Sequence, residues 1–346
     1  MNFYPIQTED DTISLYNFNV SDVYHSKVGA YTEALRKYVI PSGIKDFVEK
    51  NKAVKILDVC YGLGYNAKTA ASESLKVFPE ANIDITALEI DPQVVAFSSI
   101  IGCECFENVI NKTFFEEINK QLDAQQVVEY FVKNSFNIQS QIREKIPEQY
   151  NLVMLDDIKA KLHNTYYRTI SSRKSIDKKA SNNTLKVGIL LNDARKSIIN
   201  LQNSYDFIFL DPFTPAKFPI LWTVEFFKLL YELLEDGGNL TTYSNAAPVR
   251  AGLIEAGFFT GQTNPVGKKT TGTIAYKKSE LVKNKLSEKE SGILKTKAGI
   301  PYRDKKLSAT SKEILLNRKI EQKNSDRISS SKFLKSFNYN SSIINL

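Results

Sequence analysis

Cysteine, histidine, methionine and tryptophan are all scarce in this chain of 346 residues, at three, two, two and one respectively. Cys60, Cys103 and Cys105 make neither a disulfide framework nor a zinc set, and His25 and His163 alone leave little from which to build a metal centre or a Ser/His/Asp relay. No metal is expected. No apolar run reaches the roughly 20 residues that cross a bilayer, and the amino terminus is polar and acidic, unlike a secretory leader. A soluble cytoplasmic protein with no membrane partner follows as the expectation. Internal repeats are also missing, which excludes solenoids and propellers. What remains is a chain with 42% apolar residues, enough to fill a substantial core.

Charge of one sign is confined. Residues 281–346 carry 15 Lys+Arg against 6 Asp+Glu, a net of +9, while the preceding 280 residues net −2. The segment holds Lys295, Lys297, Arg303, Lys305, Lys306, Lys312, Arg318 and Lys319, and would attract a phosphate backbone without reading its sequence. It reads either as an RNA clamp beyond about residue 285, separable from the chemistry, or as a solvated, partly disordered extension with no partner.

The most informative stretch is Tyr205-Asp206-Phe207-Ile208-Phe209-Leu210-Asp211-Pro212-Phe213-Thr214-Pro215-Ala216-Lys217. Its apolar run is too short for a helix interior and rich in strand formers, and the prolines end it, leaving Asp211 at the strand's carboxyl end. Open α/β sheets place their chemistry there. Asp211-Pro212-Phe213 is similar to the Asp/Asn-Pro-Pro-aromatic corner of amino-group methyltransferases, in which a carboxylate and a backbone carbonyl accept hydrogens from a nucleophilic nitrogen. The plainer reading is an aspartate that caps a turn.

Upstream, Ile56-Leu57-Asp58-Val59-Cys60-Tyr61-Gly62-Leu63-Gly64-Tyr65-Asn66-Ala67 runs from a strand through a glycine turn into a helix. Gly62 and Gly64 let a ligand approach the backbone, and a helix amino end favours polar or anionic groups. NAD and S-adenosylmethionine sites both use such a turn. Asp58, before the turn, favours S-adenosylmethionine; Glu89, ending the next strand, suits a ribose diol of either cofactor. Asn192-Asp193-Ala194-Arg195 ends a further buried strand, where Asp193 could accept an adenine amine, cap a helix, or do both.

The spacing predicts a doubly wound α/β fold of the Rossmann-like class with seven strands. Short strands or a hairpin are expected over about 1–20 and a helix over about 31–49; residues 1–50 form a cap, 51–280 the catalytic domain with a helical, polar insertion at 104–184, and 281–346 the basic extension. Core strands are placed near 53–59, 84–90, 187–191, 206–211 and 239–243, with a final antiparallel pair near 258–263 and 272–277. A helix over about 221–235 would stop at Gly237-Gly238. Tyr150 to Asp156 imitates the 205–211 strand, but lacks the prolines.

Assembled, these residues resemble the tRNA wobble-uridine methyltransferases of the MnmD type, also found as the methyltransferase half of MnmC. Tyr24-His25-Ser26-Lys27 with Gly29, Ala30 and Glu33 is similar to the family's amino-terminal signature, and Asp211-Pro212-Phe213-Thr214-Pro215-Ala216-Lys217 with Pro219 and Trp222 to its longest motif. Asn192 to Arg195, Tyr243 to Arg250, Gly267-Lys268-Lys269 and Lys297 to Asp304 follow the same pattern. Cys60 departs from it, standing where many methyltransferases have their first glycine, as does Asn192. The resemblance implies S-adenosylmethionine held by Asp58, Cys60, Gly62, Gly64, Asn66, Glu89, Asp193 and Ala194. It implies an amine oriented at Asp211, Pro212 and Phe213, and a tRNA substrate met by His25, Ser26, Lys217, Arg250, Lys268 and Lys269. The activity implied is N-methylation of the 5-aminomethyl group of wobble (2-thio)uridine, and the enzymes that supply aminomethyl-uridine tRNA are candidate partners. No second glycine-rich fingerprint marks an FAD-dependent oxidase half. The alternatives are an aminopropyltransferase of the polyamine type, which would want more acids around a polycation, and a non-catalytic RNA-binding module, which would not need three acids at strand ends.

Overall fold

The computed structural model describes residues 2–100, 106–136, 139–162, 164, 185–202, 204–264 and 271–344. Cys103, Cys105, His163, the Ser171-Ser172-Arg173-Lys174-Ser175 stretch, Lys268 and Lys269 lie outside them. Two compact units divide the chain, Met1–Asn192 and Asp193–Leu346. The architecture is α/β, with a mixed sheet of seven strands.

In the first unit, β1 (Phe3–Gln7), β2 (Ile13–Asn17) and β3 (Asp22–Val23) form the expected hairpin and its continuation. Asp10 closes the β1–β2 turn by accepting from Thr12 N, Thr12 Oγ1 and Thr8 Oγ1. The stretch that imitates 205–211 contributes only β6 (Asn151–Leu152), paired antiparallel with β1 in a separate four-stranded sheet of order β3-β2-β1-β6. The helix expected over 31–49 is interrupted: a wide turn spans Ala34–Val39, and Gly43 turns left-handed at φ 74° before the helix Ile44–Asn51.

Strands β4 (Ala53–Val59), β5 (Asn82–Glu89) and β7 (Leu185–Leu191) run parallel, with Val59 opposite Leu88 and Glu89 opposite Leu191. β4 is continuously buried from Ile56 to Val59 and β5 from Ala87 to Glu89, whereas β7, at the end of the sheet order, leaves Lys186 and Leu190 exposed. Because parallel strands end together, the glycine turn, Glu89 and Asn192 arrive at one sheet edge, where Asn192 N donates to Glu89 O at 2.9 Å. Between β5 and β7, the helix Asn108–Asn119 buries Ile110, Phe114 and Ile118, and Gln121 Nε2 donates to Ile189 O at 2.7 Å. That part of the stretch read as an insertion packs on the core.

The second unit holds β8 (Tyr205–Leu210), parallel to β9 (Leu234–Thr242), then β11 (Thr273–Tyr276) and β10 (Phe259–Gln262), both antiparallel. The intervening helix ends at Leu233, short of the two glycines, because β9 begins at Leu234. Gly238 serves the strand instead: a Cβ there would stand 2.3 Å from Asp206 O, so only glycine permits the approach at the β8–β9 bulge.

The basic carboxyl-terminal segment is not a solvated extension. Thr296, Ile300, Tyr302, Asp304 and Ile314 are buried, Val224 N donates to Tyr302 O, and Asp304 N donates to Glu225 Oε2 at 2.7 Å. Arg303 is bonded to Glu255 and Glu321, and Arg318 donates to the carbonyls of Ile300 and Ala298 while lying over the Tyr302 ring. Both arginines are occupied by the fold, which corrects their reading as phosphate contacts. Truncation beyond residue 285 would strip away this packing, so the segment is not separable in the way its charge suggested.

Candidate active site

In the first unit the glycine turn and the acid at the end of β5 are one structure. Gly62 and Gly64 take φ of 55° and 78°, and a Cβ on Gly64 would strike the Tyr61 ring at 2.3 Å. Cys60 also sits left-handed, at φ 67°. A side chain there costs about 1–2 kcal/mol, which is why a glycine is the easier choice at this position. Glu89 Oε2 accepts from Gly62 N at 2.9 Å, and Oε1 from Ile90 N and Asp91 N at 2.8 and 3.1 Å. Oε1 already takes two hydrogens, but Oε2 keeps an acceptor position, so a hydroxyl could be accepted there without dismantling the turn. Burial pushes the Glu89 carboxyl above its ordinary 4.5; the three N–H donors oppose that, and the Asp91 charge adds to it. Asp58 and Asn66 are buried on either side of the turn.

The amino-terminal signature meets this turn through a residue whose contact the sequence did not reveal. The Tyr24 ring lies over Gly62, with Cδ1 3.5 Å from where a Cβ would stand, and burial together with the Glu89 carboxylate drives its phenol pKa upward. Its neighbours are set by Glu33, which accepts from Ser26 N at 2.9 Å, from Ser26 Oγ at 2.6 Å and from Lys37. His25 is buried, edge-on to Tyr65, with Nδ1 3.9 Å from Glu33 Oε2. Although burial alone would raise the Glu33 carboxyl, Lys37 and His25 hold it below its usual value.

In the second unit, the Asp211 corner is pinned by two aromatic donors. Trp222 Nε1 donates to Phe213 O and Tyr243 Oη to Pro212 O, each at 2.9 Å, and the two rings meet edge-on at 5.9 Å. The single tryptophan is fully buried. A carbonyl has two lone pairs, so Pro212 O keeps one acceptor position while its direction is fixed. Asp193 caps the turn Ala194–Ser197 by accepting from Arg195 N at 2.9 Å, so its capping role is present. Arg195 folds back on the same carboxylate and reaches Asp304 Oδ2 at 3.1 Å and Ala309 O at 2.9 Å. Burial raises the Asp193 carboxyl, but the Arg195 bonds and charge outweigh it and leave it below its usual value. Ala194 is buried and Lys217 exposed.

Arg250 is a correction. It is 2% exposed and spends its guanidinium on Thr273 Oγ1 at 2.9 Å, Gly272 O at 3.1 Å and Glu290 Oε1 at 2.8 Å. At that burial it presents almost no surface to an RNA phosphate. Glu290 is at the same time the partner of Ser287 in a capping box, so Arg250 ties the helix Ala247–Glu255 to β11 and to the helix Glu288–Leu294.

A family model described as S-adenosyl-L-methionine-dependent methyltransferase matches residues 153–278. Over 314 residues the chain is 29% identical to an uncharacterized protein of Methanocaldococcus jannaschii, covering 90% of this chain and 70% of that one. It is 39% identical over 87 residues to the tRNA 5-methylaminomethyl-2-thiouridine biosynthesis bifunctional protein MnmC of Ralstonia nicotianae, covering 25% of this chain. That match spans 13% of the MnmC protein's length. The crystal structure of MNMC2 from Aquifex aeolicus superposes with a TM-score of 0.65 over 93% of this chain and 86% of that one, at 25% identity.

Two outcomes follow from the geometry. A diol bound at Glu89 would donate to the ionised carboxylate, so affinity for S-adenosylhomocysteine should then weaken on acidification with an onset above 4.5, the direction in which Glu89 is shifted. Glu89→Gln should remove that step and weaken binding about tenfold or more at neutral pH. Calorimetric titration across a pH series checks both, and an unchanged profile in the variant would exclude Glu89 from the grip. Arg250→Ala should cost about 3 kcal/mol of stability, because it breaks a buried, hydrogen-bonded ion pair. Denaturant unfolding measures this; a loss of RNA affinity with stability intact would return Arg250 to the surface role.

Proposed function

We propose that this chain is an S-adenosyl-L-methionine-dependent methyltransferase of the MnmD type and that it N-methylates the 5-aminomethyl group of wobble (2-thio)uridine in tRNA. The observation that carries the reading is the Asp211 corner, a strand-end carboxylate followed by carbonyls whose directions are fixed by Trp222 and Tyr243. An amine nucleophile has hydrogens to donate and a lone pair to aim, and a carboxylate beside a fixed carbonyl accepts the former and thereby orients the latter. Sulfonium chemistry supplies the electrophilic methyl when the cofactor is bound. The residues that fit it are the Gly62–Gly64 turn, whose two glycines are left-handed, and Glu89, a buried acceptor with spare capacity on Oε2.

Asp211 accepts an amine hydrogen, holds the lone pair in line with the methyl and takes up, directly or through water, the proton that nitrogen must lose once it has gained a fourth bond. The Pro212 carbonyl shares the orientation. Asp58 and Asp193 serve the methionine and adenine ends of the cofactor, with Ala194 and Asn66 beside them. His25 and Ser26, locked by Glu33, line the entrance. Phosphates fall to exposed cations, of which Lys217 is one. The enzymes that make the aminomethyl group stand upstream as candidate partners.

Asp211→Ala should reduce methyl transfer by about a thousandfold or more, since it removes the group that orients and deprotonates the nucleophile. Its affinity for S-adenosylhomocysteine should stay within a few fold of the wild type. Single-turnover rates and calorimetry give the two numbers. A folded variant that no longer binds the cofactor product would place Asp211 in the cofactor grip and remove the reading's main support.

A further inference from the structure

The +9 charge of the carboxyl-terminal segment is not spread evenly once its internal bonds are accounted for. Arg303 and Arg318 are committed to the fold. The helix Ser311–Asn324 gathers three of the remaining cations on one face. Lys312, Leu316, Lys319, Ile320 and Lys323 are all exposed, and at 100° per residue they fall within an arc of about 100° on one face. Leu316 and Ile320 are 54% and 49% exposed, an apolar pair one turn apart with lysines around it. The helix's own acids face other duties. Glu313 accepts from Thr310 N and Thr310 Oγ1 in the capping box at the helix start, and Glu321 accepts from Arg303. Among the described residues none of the three lysines makes an ion pair. Along the opposite side, Ile314 is fully buried and Arg318 and Gln322 bond the backbone of residues 297–300. The helix is therefore held rigidly by one face while the other offers three unneutralised ammonium groups around two aliphatic side chains.

We propose that this face is the docking surface for the sugar-phosphate backbone of the RNA substrate, an inference that rests on the tRNA reading given above. Charge complementarity decides the occupant: three mobile ammonium groups at helical spacing match a polyphosphate. Leu316 and Ile320 can lie against ribose faces that a wholly charged surface would leave wet. Lysine meets a phosphate as a point charge on a flexible stem, so these contacts can track the backbone without reading bases.

Point changes test it, since truncation would unfold the segment. Lys312→Gln, Lys319→Gln and Lys323→Gln together should weaken tRNA binding by about tenfold or more at low salt and lower the slope of log affinity against log salt by about 2, at 0.7–0.9 per phosphate contact. Leu316→Ser with Ile320→Ser should weaken binding with the slope unchanged. Melting temperature and S-adenosylhomocysteine affinity should stay as in the wild type for both variants, because every altered side chain is exposed. Affinity and slope unchanged in the triple variant, with the wild type methylating tRNA, would overturn the docking face and leave the functional reading standing. Loss of binding to vesicles of anionic phospholipid in the triple variant, with tRNA binding retained, would assign the face to a membrane surface instead. A wild-type enzyme that neither binds nor methylates tRNA would overturn both.

Discussion

The carboxylate of Glu89 bonded to the amide of Gly62 is the contact on which the first unit's functional edge depends. It couples the end of one parallel strand to the turn that leaves its neighbour, so the turn's left-handed residues are held in place before any ligand arrives. Cys60 is held left-handed against its own preference. The same carboxylate accepts from Ile90 and Asp91, and the backbone carbonyl of Glu89 receives Asn192. Burial makes its charge expensive, and the three amides make that charge tolerable. Ionising a carboxyl whose folded-state pKa is raised costs stability as the pH rises through that value, and the three amides limit that cost.

Under the proposed function the second unit solves a different problem. A nucleophilic amine needs acceptors in fixed directions, and a strand-end loop would not supply them unaided. Trp222 and Tyr243 donate to successive carbonyls after Asp211; Trp222 is fully buried and the half-buried Tyr243 meets it edge-on. The prolines shape the corner and the aromatic donors keep it from relaxing. The carboxyl-terminal segment extends this support: Asp304 is buried, anchors Arg195 and through it the Asp193 carboxylate. A stretch that looks like an electrostatic appendage thus also has a structural part in the cap at residue 193.

The places of the parallel strands along the chain and the residues at their ends were legible because both depend on short-range pattern. Apolar runs of strand length stop at Asp58, Glu89, Asn192 and Asp211, and the turn residues that follow announce themselves. The hairpin at the amino terminus and the antiparallel pair at the end of the sheet were legible for the same reason. The fate of the long cations was not. Arg250 looks like any surface arginine until Glu290, forty residues later, folds onto it, and Arg303 and Arg318 find their partners in Glu255 and the carbonyls of residues 298 and 300. Nor could spacing show Tyr24 lying over Gly62, since the contact joins two separate sheets. The end of the helix before β9 was misplaced because Gly237 and Gly238 read as a stop signal, when Gly238 is needed for strand approach to Asp206. What was missed depended on contacts between residues far apart in the chain.

The central claim is a methyl group transferred to a primary amine on a tRNA base, and the product itself is the most direct test. Purified protein, S-adenosylmethionine and tRNA carrying 5-aminomethyl-uridine should yield, on digestion to nucleosides and mass spectrometry, the methylaminomethyl nucleoside in place of the aminomethyl one. Tandem fragmentation should place the added methyl on the side-chain nitrogen, and tRNA without the aminomethyl group should remain unmodified. Methylation on a ring atom or a ribose, or an aminopropyl adduct formed from decarboxylated S-adenosylmethionine, would contradict the account.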